Sequence, residues 1–448
     1  MDEQALLKRA LQIRRNLIEQ GGYWAFDPSQ AMQVGPEPLT LTRDQASEAR
    51  TNGYAVFKFW EQAQKVYLDS CLGVLPAWVA ASVEGPLTSE QRNAQMMVAS
   101  MNELPRLARL DLSSFWFPVE IQERLGFLGG CASWHKANDR EGYPEGLKPV
   151  GRGPESIPSA FASMVCGFSF GASRPTVALV APEGYLSEQA YLARYLQSIG
   201  IETLVVDRDT LLAGTGVELF KGGLVIAGRG IDFLYRREVN AATLVKHEGG
   251  LKVLKSVLDG KLVVEPPLSM LYDTKAPFAW VHHPWLRDYF SDDVRELIPL
   301  TTLLPATTDA MFKLGNAELT LDDILSLSNS RRSYVLKYAG PSIEYGLGGR
   351  AVYSLEDTSK VARKVVDLAL GQVAEGHPWV IQRKDDERFP TTYLAGGELI
   401  TCPTMHARLL FFYQRIAGVV LLFAAHGNFR NNWKTGGNKD AVFRVICE

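Results

Sequence analysis

Residues 109–130 read RLDLSSFWFPVEIQERLGFLGG and carry Arg109, Asp111, Glu120 and Gln122 at alternate positions inside short hydrophobic runs. A β-strand sends successive side chains to opposite faces, so Arg109 and Asp111 share a face, as do Glu120 and Gln122. Burying carboxylates on a sheet face is costly unless they are partnered. Either a salt-bridge network with Arg109 and Arg124 neutralises the two acids, or a cation sits on them. Mg²⁺ takes hard oxygen ligands, usually one or two carboxylates plus phosphate oxygens. Asp111, Glu120 and the amide oxygen of Gln122 form a suitable set, with Arg109 at hand for a substrate anion.

The rest of the chain sets limits. Its 448 residues exceed one simple core and point to two or three lobes. With 46% hydrophobic and 22% charged residues the composition is that of an ordinary globular protein. A formal net charge of −3 gives no reason to expect a nucleic acid or membrane partner. Five cysteines, far apart and without a CxxC pair, argue against a disulfide framework or zinc site. The opening MDEQALLKRALQIRRNLIEQ is charged and amphipathic, unlike a signal peptide. The apolar run IAGVVLLFAAHG is too short to span a bilayer and fits buried strands. A cytoplasmic location is expected. The oligomeric state stays open, a homo-oligomer included.

Residues 1–105 read mainly as helices, with Met96, Met97 and Met101 as core filling. Residues 106–170 hold the two strands and a polar, Gly/Pro-rich stretch near a domain boundary. Over 171–265, TVALVAP, SEQAYLARYLQSIG and IETLVVD predict strand, helix and strand, with Ser187 as N-cap and Gly200 as stop. GGLVIAGRGIDFLYRR adds two more strands. This is a βαβ unit, hence a parallel sheet, and no GxGxxG follows its first strand. The fold class is α/β.

Residues 266–448 hold two further pieces. In VLKYAGPSIEYGLGGR, Lys337 leaves a strand toward a loop with Gly346, Gly348, Gly349 and Arg350. A lysine there can place its ammonium on a phosphate while glycines bring backbone N–H groups close. Arg350 can add a forked donor. The order is not that of a P-loop, because the lysine precedes the glycines. A strand lysine before a glycine hairpin also has a purely structural reading. PWVIQRK, with Gln382, is a buried strand whose edge can offer main-chain groups to an adenine; an ordinary core strand is the alternative.

Taken together these pieces resemble the ATP-grasp superfamily, and more closely the circularly permuted glutathionylspermidine synthetase group. RLD matches that group's Arg-x-Asp, and EIQ its Glu-x-Asn with Gln122 in place of Asn. DTKAPFAWV resembles its Lys-Ala helix, making Lys275 one nucleotide lysine and Lys337 the second. FAAHGNFRNNWKTGGNKDAVF resembles the strand pair with an arginine facing the acyl phosphate, which points to Arg430. The resemblance implies an ATP-grasp-like fold with a helical N-terminal region and a pre-ATP-grasp parallel βαβ subdomain. It implies ATP and Mg²⁺ as cofactors, and a small-molecule or peptide carboxylate joined to an amine through an acyl phosphate. The alternative is a catalytically impaired relative that binds nucleotide or a partner. Arg109 and Arg430 take the catalytic roles, while Lys275, Lys337, the glycine loop and Gln382 bind nucleotide. The chain departs from the pattern at Gln122, at Glu344 in a longer loop, and at His406 before ARLLFF, where related proteins carry an aspartate. His282 and His283 read as structural or exposed, Cys131 as a buried thiol, and His135 as structural or substrate-facing. LYRR, residues 234–237, fits an acidic substrate group or an interdomain salt bridge.

Overall fold

The computed structural model describes residues 2–21, 33–112, 118–122, 128–149, 156–168, 174–341, 351–384, 391–395, 397–402, 407–412, 420–424 and 441–447. Helices open the chain. α1 (Glu3–Glu19) starts on Asp2, whose carboxylate accepts the Ala5 N–H at 2.8 Å. α2 (Arg43–Cys71) begins on a reciprocal capping box between Thr42 and Gln45, which satisfies two first-turn N–H groups. It buries Val56, Phe59, Trp60, Val66 and Tyr67 in the largest core. α3 (Ser89–Ser100) repeats the device with Thr88 and Gln91. Met96 and Met97 on it are 42% and 49% exposed, so of the three methionines read as core only Met101 packs against a core. Helical spacing fixes which residues share a face, and neighbours decide whether that face is covered.

Two very short strands interrupt the helical region. Gln33–Val34 and Leu39–Thr40 both pair in parallel with Ala441–Cys447. Two residues carry no readable period, so neither strand was expected.

β1 (Leu107–Leu112) and β2 (Pro118–Gln122) pair antiparallel, with Arg109 opposite Gln122 and Asp111 opposite Glu120. The register shifts between Asp111 and Leu112. Ala108, Leu110 and Leu112 pack into the α2 core, whereas Leu107 joins a second core with α4 (Leu128–Glu141) and α5 (Ser156–Phe168). At the start of α4, a Cβ on Gly129 would lie 2.3 Å from the Glu188 carbonyl oxygen. Gly129→Ala is therefore expected to cost about 1–3 kcal/mol, read as a lower urea midpoint. An unchanged midpoint would refute that close approach.

The parallel sheet follows: β3 (Val177–Ala181), α6 (Leu186–Ser198), β4 (Thr203–Asp207), β5 (Phe233–Arg236), α7 (Glu248–Leu258) and β6 (Val263–Glu265). Its order is β6-β5-β3-β4, every pair parallel, and β3 is buried throughout. Ser187 is not the N-cap of α6. The helix continues from a 3₁₀ turn at Glu183–Tyr185 without a side-chain cap, and Gly200 follows it at φ +85°. The stretch read as two strands supplies three. Gly223–Ile226 and Arg229–Ile231 form a separate antiparallel sheet with Val217–Phe220, and β5 alone enters the parallel sheet.

After α8 (Ala276–Val281) comes an antiparallel sheet of β7 (Thr301–Leu303), β8 (Tyr334–Tyr338), β9 (Val352–Ser354) and β10 (Trp379–Arg383). Its order is β7-β10-β8-β9. α9 (Ser359–Ala374), capped by Thr358, buries Ala362, Val366 and Ala369 in a core shared with β8 and β10. Last, β11 (Ala407–Phe412) returns to pair antiparallel with β1, placing Arg408 opposite Asp111. Among the described residues no helix is long and apolar enough to cross a membrane.

Candidate active site

Four segments far apart in the chain meet over the charged face of β1 and β2. Alternation along the strands puts Arg109, Asp111, Glu120 and Gln122 together, and the register sets them opposite one another in pairs. Arg109 and Asp111 are nearly wholly buried. The Arg109 guanidinium grips Asp111 with two bonds, Nε to Oδ1 at 2.7 Å and Nη2 to Oδ2 at 3.0 Å, and also donates to the Gln122 amide oxygen. Burial works against the Arg109 charge, but Asp111 outweighs it, so the guanidinium holds its proton more tightly than usual. Part of the strand face is thus neutralised internally. Arg109 sits where a substrate anion was expected to dock, and in this state it serves Asp111.

Glu120 is bound differently. Lys275, the N-cap residue of α8, places its Nζ 2.8 Å from Glu120 Oε1. Lys337 on β8 approaches from the other sheet and donates to the Val119 carbonyl at 2.8 Å and to the Gln382 amide oxygen. Burial alone would raise the Glu120 pKa. Lys275 and Lys337 together, with hydrogen bonds from Lys275 and Gln122, hold it well below the usual carboxylate range. Lys337 feels the opposite balance. Burial and the like charge of Lys275 lower its pKa to about 8, against the pull of Glu120 and Asp111.

PWVIQRK leaves two readings open at Gln382, a strand edge offering main-chain groups to an adenine and an ordinary core strand, and the pairing is that of the core strand. β10 is an interior strand, paired at Gln382 with Thr301 on one side and Val335 on the other, so its main chain is spoken for. The side chain is what reaches the site, bridging Lys337 and the Thr301 hydroxyl (3.2 Å). Gly346, Gly348, Gly349, Arg350 and Arg430 lie outside the described residues, as do Glu344 and His406.

Other residues fall around this centre. Cys131 on α4 is buried and lies close enough to Arg109 to interact with its charge. His135, one helical turn on, is buried, and burial lowers its pKa to about 4, so it is neutral at pH 7. The sequence reading missed Glu265, fully buried at the end of β6. Its Oε1 accepts the N–H groups of Arg106 (2.9 Å) and Leu107 (3.2 Å), fixing the start of β1 to the parallel sheet. A glutamate closing the hydrophobic run KLVVEPP was the available signal.

Asp111→Asn keeps the shape but leaves the buried Arg109 without its counter-charge. The expected cost is about 3 kcal/mol in a urea titration. A loss below about 1 kcal/mol would mean that the pair is not the main support of Arg109.

The sheets define a mixed α/β fold. One solved structure that shares it is a glutathione synthetase-like effector from Globodera pallida, in its apo form. It is 12% identical, with a TM-score of 0.57 over 100% of this chain and 97% of the other. What the two have in common is the fold. No protein-family model matches the chain, and no curated protein does.

Proposed function

We propose that the protein is an ATP-dependent carboxylate–amine ligase that forms an amide through an acyl phosphate with Mg²⁺. The observation that carries this reading is the convergence of Lys275 and Lys337 on Glu120, beside Asp111 and Gln122. Two largely buried ammonium groups suit a triphosphate, and the acids beside them suit its metal.

The donor set fits such a metal. Among the described residues no three His, Cys, Asp or Glu side chains form a metal cage. Mg²⁺ held largely by phosphate oxygens needs only one or two carboxylates, and Asp111, Glu120 and the Gln122 amide supply them. When bound, the ion would neutralise charge developing on the transferred phosphoryl group. Lys275 and Lys337 would exchange Glu120, Gln382 and the Val119 carbonyl for phosphate oxygens. Gln382 keeps Lys337 aimed in the meantime. Arg109 would hold the acid substrate, Arg430 would stabilise the oxyanion formed as the amine attacks, and the loop with Gly346, Gly348, Gly349 and Arg350 would cover the phosphates. The substrates are a small-molecule or peptide carboxylate and an amine. We place this chemistry in the permuted, glutathionylspermidine synthetase-like branch of the superfamily.

One observation favours a second reading, that of a nucleotide-binding relative without turnover. Both Asp111 oxygens and the Gln122 oxygen are taken by Arg109. The test is ADP release with ATP, Mg²⁺ and panels of amino acids, short peptides and polyamines. A ligase releases ADP only when an acid and an amine are both present. ATP binding without ADP release across the panels supports the second reading, and a phosphorylated acid that persists without amine indicates a phosphotransferase.

A further inference from the structure

A cavity of about 440 Å³ opens along β6, the edge strand of the parallel sheet, away from the lysine–carboxylate centre. Val98, Met101, Val264 and Leu268 give it an apolar wall, and Glu103 and Arg106 are its two charged lining groups. A concave, mostly apolar site of this size with a few convergent polar groups suits a small molecule. Arg106 stands immediately before β1, five residues ahead of Asp111, roughly 16 Å at the rise of a strand. An occupant here would therefore not touch the reacting groups of the ligase site.

The charges around the cavity indicate what it would take. Arg106 donates to Glu103 at 2.6 Å, and its Nη1 lies 3.5 Å from Glu265 Oε2. Glu265, next in sequence to the lining residue Val264, is fully buried, and its Oε2 accepts no hydrogen bond. Burial raises its pKa to about 7 despite Arg106 and Arg236. The next guanidinium, Arg236, donates to the carbonyls of Pro266, Val239 and Pro267 and lies 3.8 Å from the buried Asp273. Arg106, the cationic lining group, is thus engaged by Glu103 and faces Glu265. The half-exposed Glu103 stands at the solvent side of the group with an oxygen to spare.

We propose that this cavity binds a cationic amphiphile, an apolar chain or ring ending in a single ammonium, with the ammonium on Glu103 and the apolar part against Val264 and Leu268. A negatively charged head would meet Glu103 and find Arg106 already engaged by carboxylates, and a wholly polar ligand would leave the wall unfilled. This site is independent of the ligase reading and survives its failure.

The test is isothermal titration calorimetry of the full chain at pH 7 with 4-phenylbutylamine and its isosteric acid, 4-phenylbutyrate. The amine should bind at one site, and the acid about tenfold more weakly or not at all. Glu103→Gln, at a half-exposed position, should weaken the amine about fivefold. Gly167 also lines the cavity, and a Cβ built on it meets nothing within 4 Å, so Gly167→Leu can fill the space without a backbone clash. It should abolish amine binding with an unchanged melting temperature. Should that variant lose its fold, Glu103→Gln alone decides. Equal or tighter binding of the acid, or undiminished amine binding in a folded variant, overturns the proposal.

Discussion

Lys337→Ala is expected to weaken ATP binding roughly a hundredfold, about 3 kcal/mol, while the protein stays folded. The fold should tolerate the loss because the ionised lysine is held there at a cost. Burial and Lys275 lower its pKa to about 8 from the ordinary 10.5. Between those values the unfolded chain binds more protons than the native one, so stability of the parent protein should rise with pH across that window. The rise should vanish in Lys337→Ala. The same shift predicts that ATP affinity of the parent falls as pH climbs through about 8 and the ammonium is lost. Calorimetry with a non-hydrolysable ATP analogue and Mg²⁺ at pH 7 and pH 9, on both proteins, measures each effect. Equal affinity in the variant would remove Lys337 from the nucleotide site.

Glu120→Gln should lower Mg²⁺-dependent ADP formation by at least about a hundredfold, because it removes a proposed metal carboxylate and loosens Lys275. Its side chain is 23% accessible, so an isosteric amide fits without opening a void. The pH dependence of stability separates this from general damage. Burial opposes the Glu120 charge, yet the two lysines keep its folded pKa below the ordinary 4.5. Its contribution to stability is therefore complete above 4.5 and is lost as pH falls through the folded value. Urea titrations at decreasing pH should show that loss in the parent and a flatter profile in the variant. Parent-level turnover in Glu120→Gln would defeat the metal assignment.

Much of this centre was readable because strand alternation is local. Arg109 and Asp111, then Glu120 and Gln122, could share a face in only one way once two strands were recognised. Whether salt bridges or a cation satisfied them was not readable, and the answer is divided. Asp111 takes its neighbour two residues away, while Glu120 takes a lysine 155 positions later. The two readings left open at Gln382 have the same origin. A buried strand looks alike at the edge and in the middle of a sheet, and only the pairing with β7 and β8, fixed by distant chain, decides which it is. Boundaries failed for a smaller reason. Ser187 is a good cap residue in isolation, but the preceding 3₁₀ turn already carries the chain into the helix.

The pairing of Gln33–Val34 and Leu39–Thr40 with Ala441–Cys447, and of β1 with β11, bears on how the molecule is made. Strand β1, which holds Arg109 and Asp111, gains its second neighbour only after some three hundred further residues have been synthesised. During translation the early segments must wait with unpaired edges for Ala407–Phe412 and Ala441–Cys447 to leave the ribosome. Completion of the strand face that carries Arg109 and Asp111 is thereby tied to segments made much later, and chains halted before residue 441 should expose sticky strand edges that invite chaperones or aggregation.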